Sequence, residues 1–82
     1  MPILITVKRG KCQGGYHKKG DEFFVDWKTP EGMCLGAWDP VSPWVTALLC
    51  GATNLPDGSD PDAMEVHCAD PKGITLEVRR IP

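Results

Sequence analysis

Four cysteines, at positions 12, 34, 50 and 68, are the side chains of this 82-residue sequence best equipped for chemistry. Thiolates are the softest ligands a protein carries, and they can hold zinc or an iron–sulfur cluster. Their spacing, with 21, 15 and 17 residues between successive cysteines, contains no C-x-x-C pair. Zinc signatures of the strong kind place two ligands on one turn, so any site built from these thiols has to be assembled by the fold. The alternative is inert thiols, because unpaired cysteine is among the most buried residue types. Cys50, closing an apolar run beside Leu48 and Leu49, suits that alternative best, and Cys68 shares a strand face with Val66. Cys12 differs. It lies among Lys8, Arg9, Lys11, Lys18 and Lys19, and nearby cations raise a thiol's thiolate fraction, which makes it the expected reactive cysteine.

His17 and His67 are the two imidazoles, each near a cysteine in sequence. Either can serve as a nitrogen ligand or a base, although alternation turns His67 away from Cys68 and a surface position is the ordinary expectation for both. The sequence holds no nucleophile elbow, P-loop, dinucleotide fingerprint or H-E-x-x-H. Asp57-Gly58-Ser59-Asp60-Pro61-Asp62 has the acids of a calcium loop but neither its twelve-residue spacing nor its closing glutamate, and reads as a solvated turn. Trp27, Trp38 and Trp44 crowd the helical segment. Core packing is the first explanation for them and a partner surface the second.

Composition bounds what such residues can be part of. With 41% hydrophobic and 24% charged residues, the sequence is neither disordered in type nor membrane-spanning, since no apolar run approaches about 20 residues. One core and one domain over 1–82 are expected at this length. The N-terminus carries no secretory signal pattern, so the sequence reads as cytoplasmic with reduced thiols. The net charge is −2, divided between a basic first twenty residues and an acidic 57–70. No basic strip is interleaved with aromatics, so nucleic acid is not an expected partner, and neither is a membrane.

The elements that must position these residues follow from patterning. ILITVKR reads as an interior strand, since Ile3, Leu4 and Ile5 are apolar on both faces. The glycine- and lysine-rich KRGKCQGGYHKKGDE reads as a loop, and EFFVDW as a second strand with Phe23 and Val25 on one face, Phe24 and Asp26 on the other. Thr29-Pro30-Glu31 carries the signals of a helix start, and the glycines at 32 and 36 limit that helix to a single turn. Ser42-Pro43 opens a second, longer helix, PWVTALLC, closed by Gly51. TNLPDGSDPD is an exposed loop. AMEVHCAD and ITLEVRR alternate around the turn Asp70-Pro71-Lys72-Gly73 and read as a hairpin, with Ile74, Leu76 and Val78 inward. The expected fold is α+β: a small antiparallel sheet in the order β-β-α-α-β-β, with one short and one longer helix packed on one face.

The segments Pro30-Glu31-Gly32-Met33-Cys34, Ala37-Trp38, Pro43, Ala47-Leu48 and Gly51 give the sequence a resemblance to a family of small uncharacterised proteins widespread in anaerobic bacteria and archaea. Gly10, Cys12, Lys19-Gly20-Asp21-Glu22-Phe23, Val66-His67-Cys68 and Glu77-Val78-Arg79-Arg80-Ile81 extend it over nearly the whole sequence. The resemblance implies a three-thiol constellation of Cys12, Cys34 and Cys68, with Cys50 as an addition, and implies no activity. In that family a proline often follows the first cysteine, where this sequence has Gln13.

Two functional readings emerge. One is an accessory or interaction module, a homo-oligomer or the partner of another protein through Trp38, Trp44 and the apolar helix. The other is a thiolate site formed by Cys12, Cys34 and Cys68, completed by His17, Cys50 or an external ligand, and holding an iron–sulfur cluster or zinc or acting in redox chemistry. A stand-alone enzyme with Cys12 as nucleophile is the weakest reading, because the sequence names no base or oxyanion device for it.

Overall fold

The structure, a computed structural model, describes residues 2–12, 14–52, 61–70 and 72–81. Among these residues, four strands and one helix follow in the order β1 (Ile3–Gly10), β2 (Glu22–Val25), α1 (Leu35–Leu49), β3 (Ala63–His67) and β4 (Ile74–Arg80). The strands form one antiparallel sheet in the order β2-β1-β4-β3. β1 is thus a central strand, as its run of apolar residues requires.

The two edge strands are joined through α1, which covers one face of the sheet. Ile3, Ile5, Val7 and Val25 from one half of the sheet and Ile74, Leu76 and Val78 from β4 meet Ala37, Val41, Val45 and Leu48 of the helix in one core. The helical residues recur at four-, four- and three-residue steps, which keeps them on one side of a 3.6-residue helix. The opposite sheet face is polar around Glu65, Glu77 and Arg79. There Arg9 reaches across β4 to Glu65 at 2.6 Å.

The expected pair of helices is a single helix. Thr29-Pro30-Glu31 starts none: Gly32 takes φ +86°, a left-handed conformation that no helical turn contains. Helix α1 instead begins at Leu35, seven residues before the expected Ser42-Pro43 start, with Cys34 as N-cap. Two prolines, Pro40 and Pro43, lie inside it. Each removes an N–H and frees the carbonyl four residues earlier. The Gly36 carbonyl freed by Pro40 accepts the Ala69 N–H at 2.9 Å, and the Asp39 carbonyl freed by Pro43 accepts the Ser42 hydroxyl at 3.4 Å. Helix-breaking chemistry is thereby offset by a tertiary bond that docks the β3–β4 turn onto the first turn of α1.

Gly51 closes the helix as expected, at φ +92°. The Gly51 N–H bonds the Leu48 carbonyl and the Ala52 N–H the Ala47 carbonyl, the paired bonds of a Schellman cap. Strand β2 stops at Val25, shorter than the expected EFFVDW, and the chain turns through Trp27 at φ +65°. Residues 53–60 of the expected loop, and with them most of the calcium-like string, lie outside the described residues. No described helix is long and apolar enough to cross a membrane.

Candidate functional site

The end of the sheet where β1 and β3 finish and β4 begins collects three of the four cysteines. Gly10 pairs with Ile74, so Cys12 leaves the sheet beside the start of β4. On the other side of β4, the Cys68 N–H donates to the Ile74 carbonyl at 2.9 Å. Cys34 joins them because the Ala69–Gly36 bond holds the N-terminus of α1 against the same end. Cys12, Cys34 and Cys68 line one solvent-connected cavity of about 390 Å³.

Two glycines permit this approach. A Cβ at Gly10, itself at φ +93°, would strike the Gly73 carbonyl oxygen, and a Cβ at Gly73 would strike the Cys68 sulfur. Neither position accepts a side chain without moving a wall of the cavity.

Backbone hydrogen bonding reaches two of the three thiols, Cys12 and Cys68. Hydrogen bonding from the backbone of the 14–17 loop holds the Cys12 thiol below its ordinary pKa; His17 has the largest effect, burial opposes it, and Tyr16, Gly14 and Gly15 add to it, while the Gly15 N–H also bonds the Cys12 carbonyl at 3.1 Å. Such a concavity of successive N–H groups favours an anion. The cause is therefore the backbone of the glycine loop, and not the neighbouring lysines expected from the sequence. Cys68 accepts the Ile74 N–H at 3.3 Å, and its own S–H donates to the Asp70 carbonyl at 3.4 Å. Cys34 sits at the N-cap with no side-chain cap bond, at the end of α1 where the macrodipole is positive.

His17 is buried, contrary to the surface position expected, and it does not line the cavity. Its Nε2 accepts the Cys34 N–H at 3.1 Å, and its ring meets Phe23 edge to face, with centroids 5.2 Å apart. The lone pair a metal would need is thus engaged in fixing the Cys34 backbone. His17 links two cysteine segments: its backbone faces Cys12 and its ring holds Cys34. His67 is exposed, with Nδ1 2.9 Å from the Cys68 carbonyl.

Cys50, expected to be the buried thiol, is exposed at the C-cap of α1, at the opposite end of the helix. It ends the apolar run in sequence, but the helix turns it away from Val41, Val45 and Leu48. Among the described residues, no three His, Cys, Asp or Glu side chains are gathered closely enough to hold one metal ion. The three cysteines share a cavity wall without converging on a point.

The sequence reading missed the amide cradle and the Pro40–Gly36–Ala69 link. The signal for the first was Gly14-Gly15 two residues after Cys12. For the second no local signal exists, because the partner lies in another element. No family model, curated protein or solved structure matches this chain, so the resemblance noted from sequence rests on its residues alone.

Proposed function

We propose that this protein is an iron–sulfur protein whose cluster is held by Cys12, Cys34 and Cys68. The observation that carries the reading is that Cys12, Cys34 and Cys68 line one cavity; the Ile74 N–H on the Cys68 sulfur and the lowered pKa of the Cys12 thiol support it. Hydrogen bonds to sulfur favour thiolate over thiol and tune a bound cluster. The S–H bond from Cys68 to Asp70 would be exchanged for a sulfur–iron bond.

The arrangement favours a cluster over a single zinc. With zinc–sulfur bonds near 2.3 Å, tetrahedral thiolates on one ion lie about 3.8 Å apart, and no described group is gathered in that way. A [2Fe–2S] centre takes two thiolates per iron, whereas a [4Fe–4S] centre takes one on each. Three cysteines lining one cavity would each supply one thiolate to the larger cluster. Anaerobic reconstitution with iron and sulfide tests this: a brown protein with a visible charge-transfer band is expected, and folded, colourless, metal-free protein would refute it.

A second reading, an interaction module, is favoured by a different region. Trp27 is 66% exposed, at φ +65°, over a small groove shared with Trp38, Val45 and Leu49. A left-handed tryptophan costs on the order of 1–3 kcal/mol, and presenting an aromatic anchor to a protein partner or a second copy would account for it. Trp44 is half-buried, and the apolar side of the helix is spent on the core. Trp27→Gly should then weaken self-association or partner capture in light scattering and pulldown, and a monomer with no partner would count against this reading.

A further inference from the structure

We infer that the rim of the cysteine cavity is a docking surface for an acidic segment of another protein, one that seats an apolar side chain between Tyr16 and Leu35. The inference concerns the surface around the cavity and holds whatever fills it. It names a region apart from the Trp27 groove.

Tyr16 and Leu35 both line the cavity, yet they are 72% and 74% exposed. Leu35 opens α1 off the side that carries Ala37, Val41, Val45 and Leu48 into the core. A bond between chain neighbours brings the two side chains to one rim. The buried His17 ring accepts the Cys34 N–H at 3.1 Å, and Tyr16 directly precedes His17 as Leu35 directly follows Cys34. Tyr16 is also supported from below, since its ring lies where a Cβ on Gly14 would strike it. An aromatic ring fixed before binding loses little freedom when a partner covers it.

Charge selects the partner. Lys11 directly precedes Cys12, Lys18 and Lys19 directly follow His17, and all three lysines are exposed. The first acid in the sequence is Asp21. Asp21 and Asp70, two acids at this end, each place a carboxylate oxygen on a backbone N–H, that of Lys18 at 3.0 Å and that of Lys72 at 2.9 Å. Exposed cations beside an apolar rim speed the approach of an acidic partner and fix its register. Relief decides the kind of partner. Two exposed side chains over a hollow of about 390 Å³ match a projecting side chain, whereas a bilayer surface is flat.

The test is fluorescence anisotropy of the full chain as purified, with labelled peptides carrying glutamates on both sides of a central leucine, phenylalanine or tryptophan. Saturable binding is expected, about tenfold tighter than to the same peptides with central glycine or with lysines for glutamates, and weaker as salt rises. Tyr16→Ser with Leu35→Ser should lose about tenfold in affinity. Lys18→Glu with Lys19→Glu should lose a similar factor and most of the salt dependence. Both changes are at exposed side chains and should leave thermal melting unchanged, and Trp27→Gly should bind as the parent does. No binding to the acidic peptides, indifference to their central residue, or an equal loss in Trp27→Gly overturns the inference. Binding instead to phosphatidylserine vesicles or to single-stranded oligothymidylate assigns the rim to a membrane or to nucleic acid. Dimerisation that is lost in Tyr16→Ser with Leu35→Ser assigns it to a second copy, and each of these outcomes equally overturns the inference.

Discussion

The two ends of α1 are built for different ends. At the C-terminus, the Schellman bonds of Gly51 and Ala52 close the last turn, and Arg80 adds a cation beside them. Its Nε donates to the Leu48 carbonyl at 3.2 Å, one terminal nitrogen to the Ala52 carbonyl, and the other to the Asp62 carboxylate at 3.1 Å. Every donor named there is used to hold helix, cap and β3–β4 together, and the cysteine at that end, Cys50, faces solvent. At the N-terminus, Cys34 makes no side-chain cap bond, the prolines divert carbonyls to other partners, and backbone donors are spent on the sulfurs of Cys12 and Cys68. Donors satisfied by the fold itself mark structure, whereas donors gathered around thiols beside a cavity mark a site.

The comparison is broken most decisively through the cysteines. Cys12→Ser, Cys34→Ser and Cys68→Ser should each abolish bound iron, while Cys50→Ser should retain it, as measured by iron and sulfide analysis of anaerobically purified protein. If Cys50→Ser alone lost the iron, the two ends would have been assigned the wrong way round.

Next in size is Arg80→Met, which removes charged hydrogen bonds to two helix-end carbonyls and should cost about 2–3 kcal/mol in urea denaturation. Iron per folded molecule should be unchanged. Gly73→Ala tests the other end: its Cβ collides with the Cys68 sulfur, and relieving the clash should cost about 1–3 kcal/mol. Here iron content should fall together with stability. If Arg80→Met lost iron in proportion to Gly73→Ala, the separation between the ends would fail.

A smaller effect sharpens the electrostatics of the N-terminal end. In metal-free protein the pH midpoint for iodoacetamide labelling of Cys12 should lie below that of an ordinary thiol. Because folding lowers this pKa, the favoured thiolate contributes stability above the unfolded thiol's pKa, and that contribution is lost as pH falls through the folded value. An ordinary midpoint at Cys12 would remove the amide cradle from the argument.

The smallest effect is expected at Arg9–Glu65 on the solvated face. The pair holds the Glu65 carboxyl below its usual range, chiefly through the Arg9 hydrogen bond, with burial opposing and the charges of Arg9 and Lys8 adding. Its contribution is present above the unfolded carboxyl pKa and lost as pH falls through the folded value. Arg9→Gln should shift the urea midpoint only slightly, and less at high salt.

Much of the sheet was legible because burial of one face imposes a period of two. Ile74, Leu76 and Val78 read inward, and they are inward; β1 read as interior, and it is. The start of the helix was not legible. Pro30 and Pro43 carry the local signals of a first turn, yet the real start is set by the Ala69 N–H bonded to Gly36, a partner 33 residues away in sequence. The cysteines were legible as candidates and not as a cavity, since their approach depends on Gly10 lying against Gly73 and Ile74. The exposure of Cys50 and the burial of His17 were likewise tertiary outcomes, the first from helix rotation and the second from a loop folding back over Cys34.

The most direct measurement is the iron and sulfide content of the full chain after anaerobic reconstitution, read with its visible and EPR spectra. The expected result is a [4Fe–4S] signal that survives Cys50→Ser and is absent from Cys34→Ser. A folded, colourless protein without iron, or a cluster indifferent to the loss of Cys34, would contradict the account.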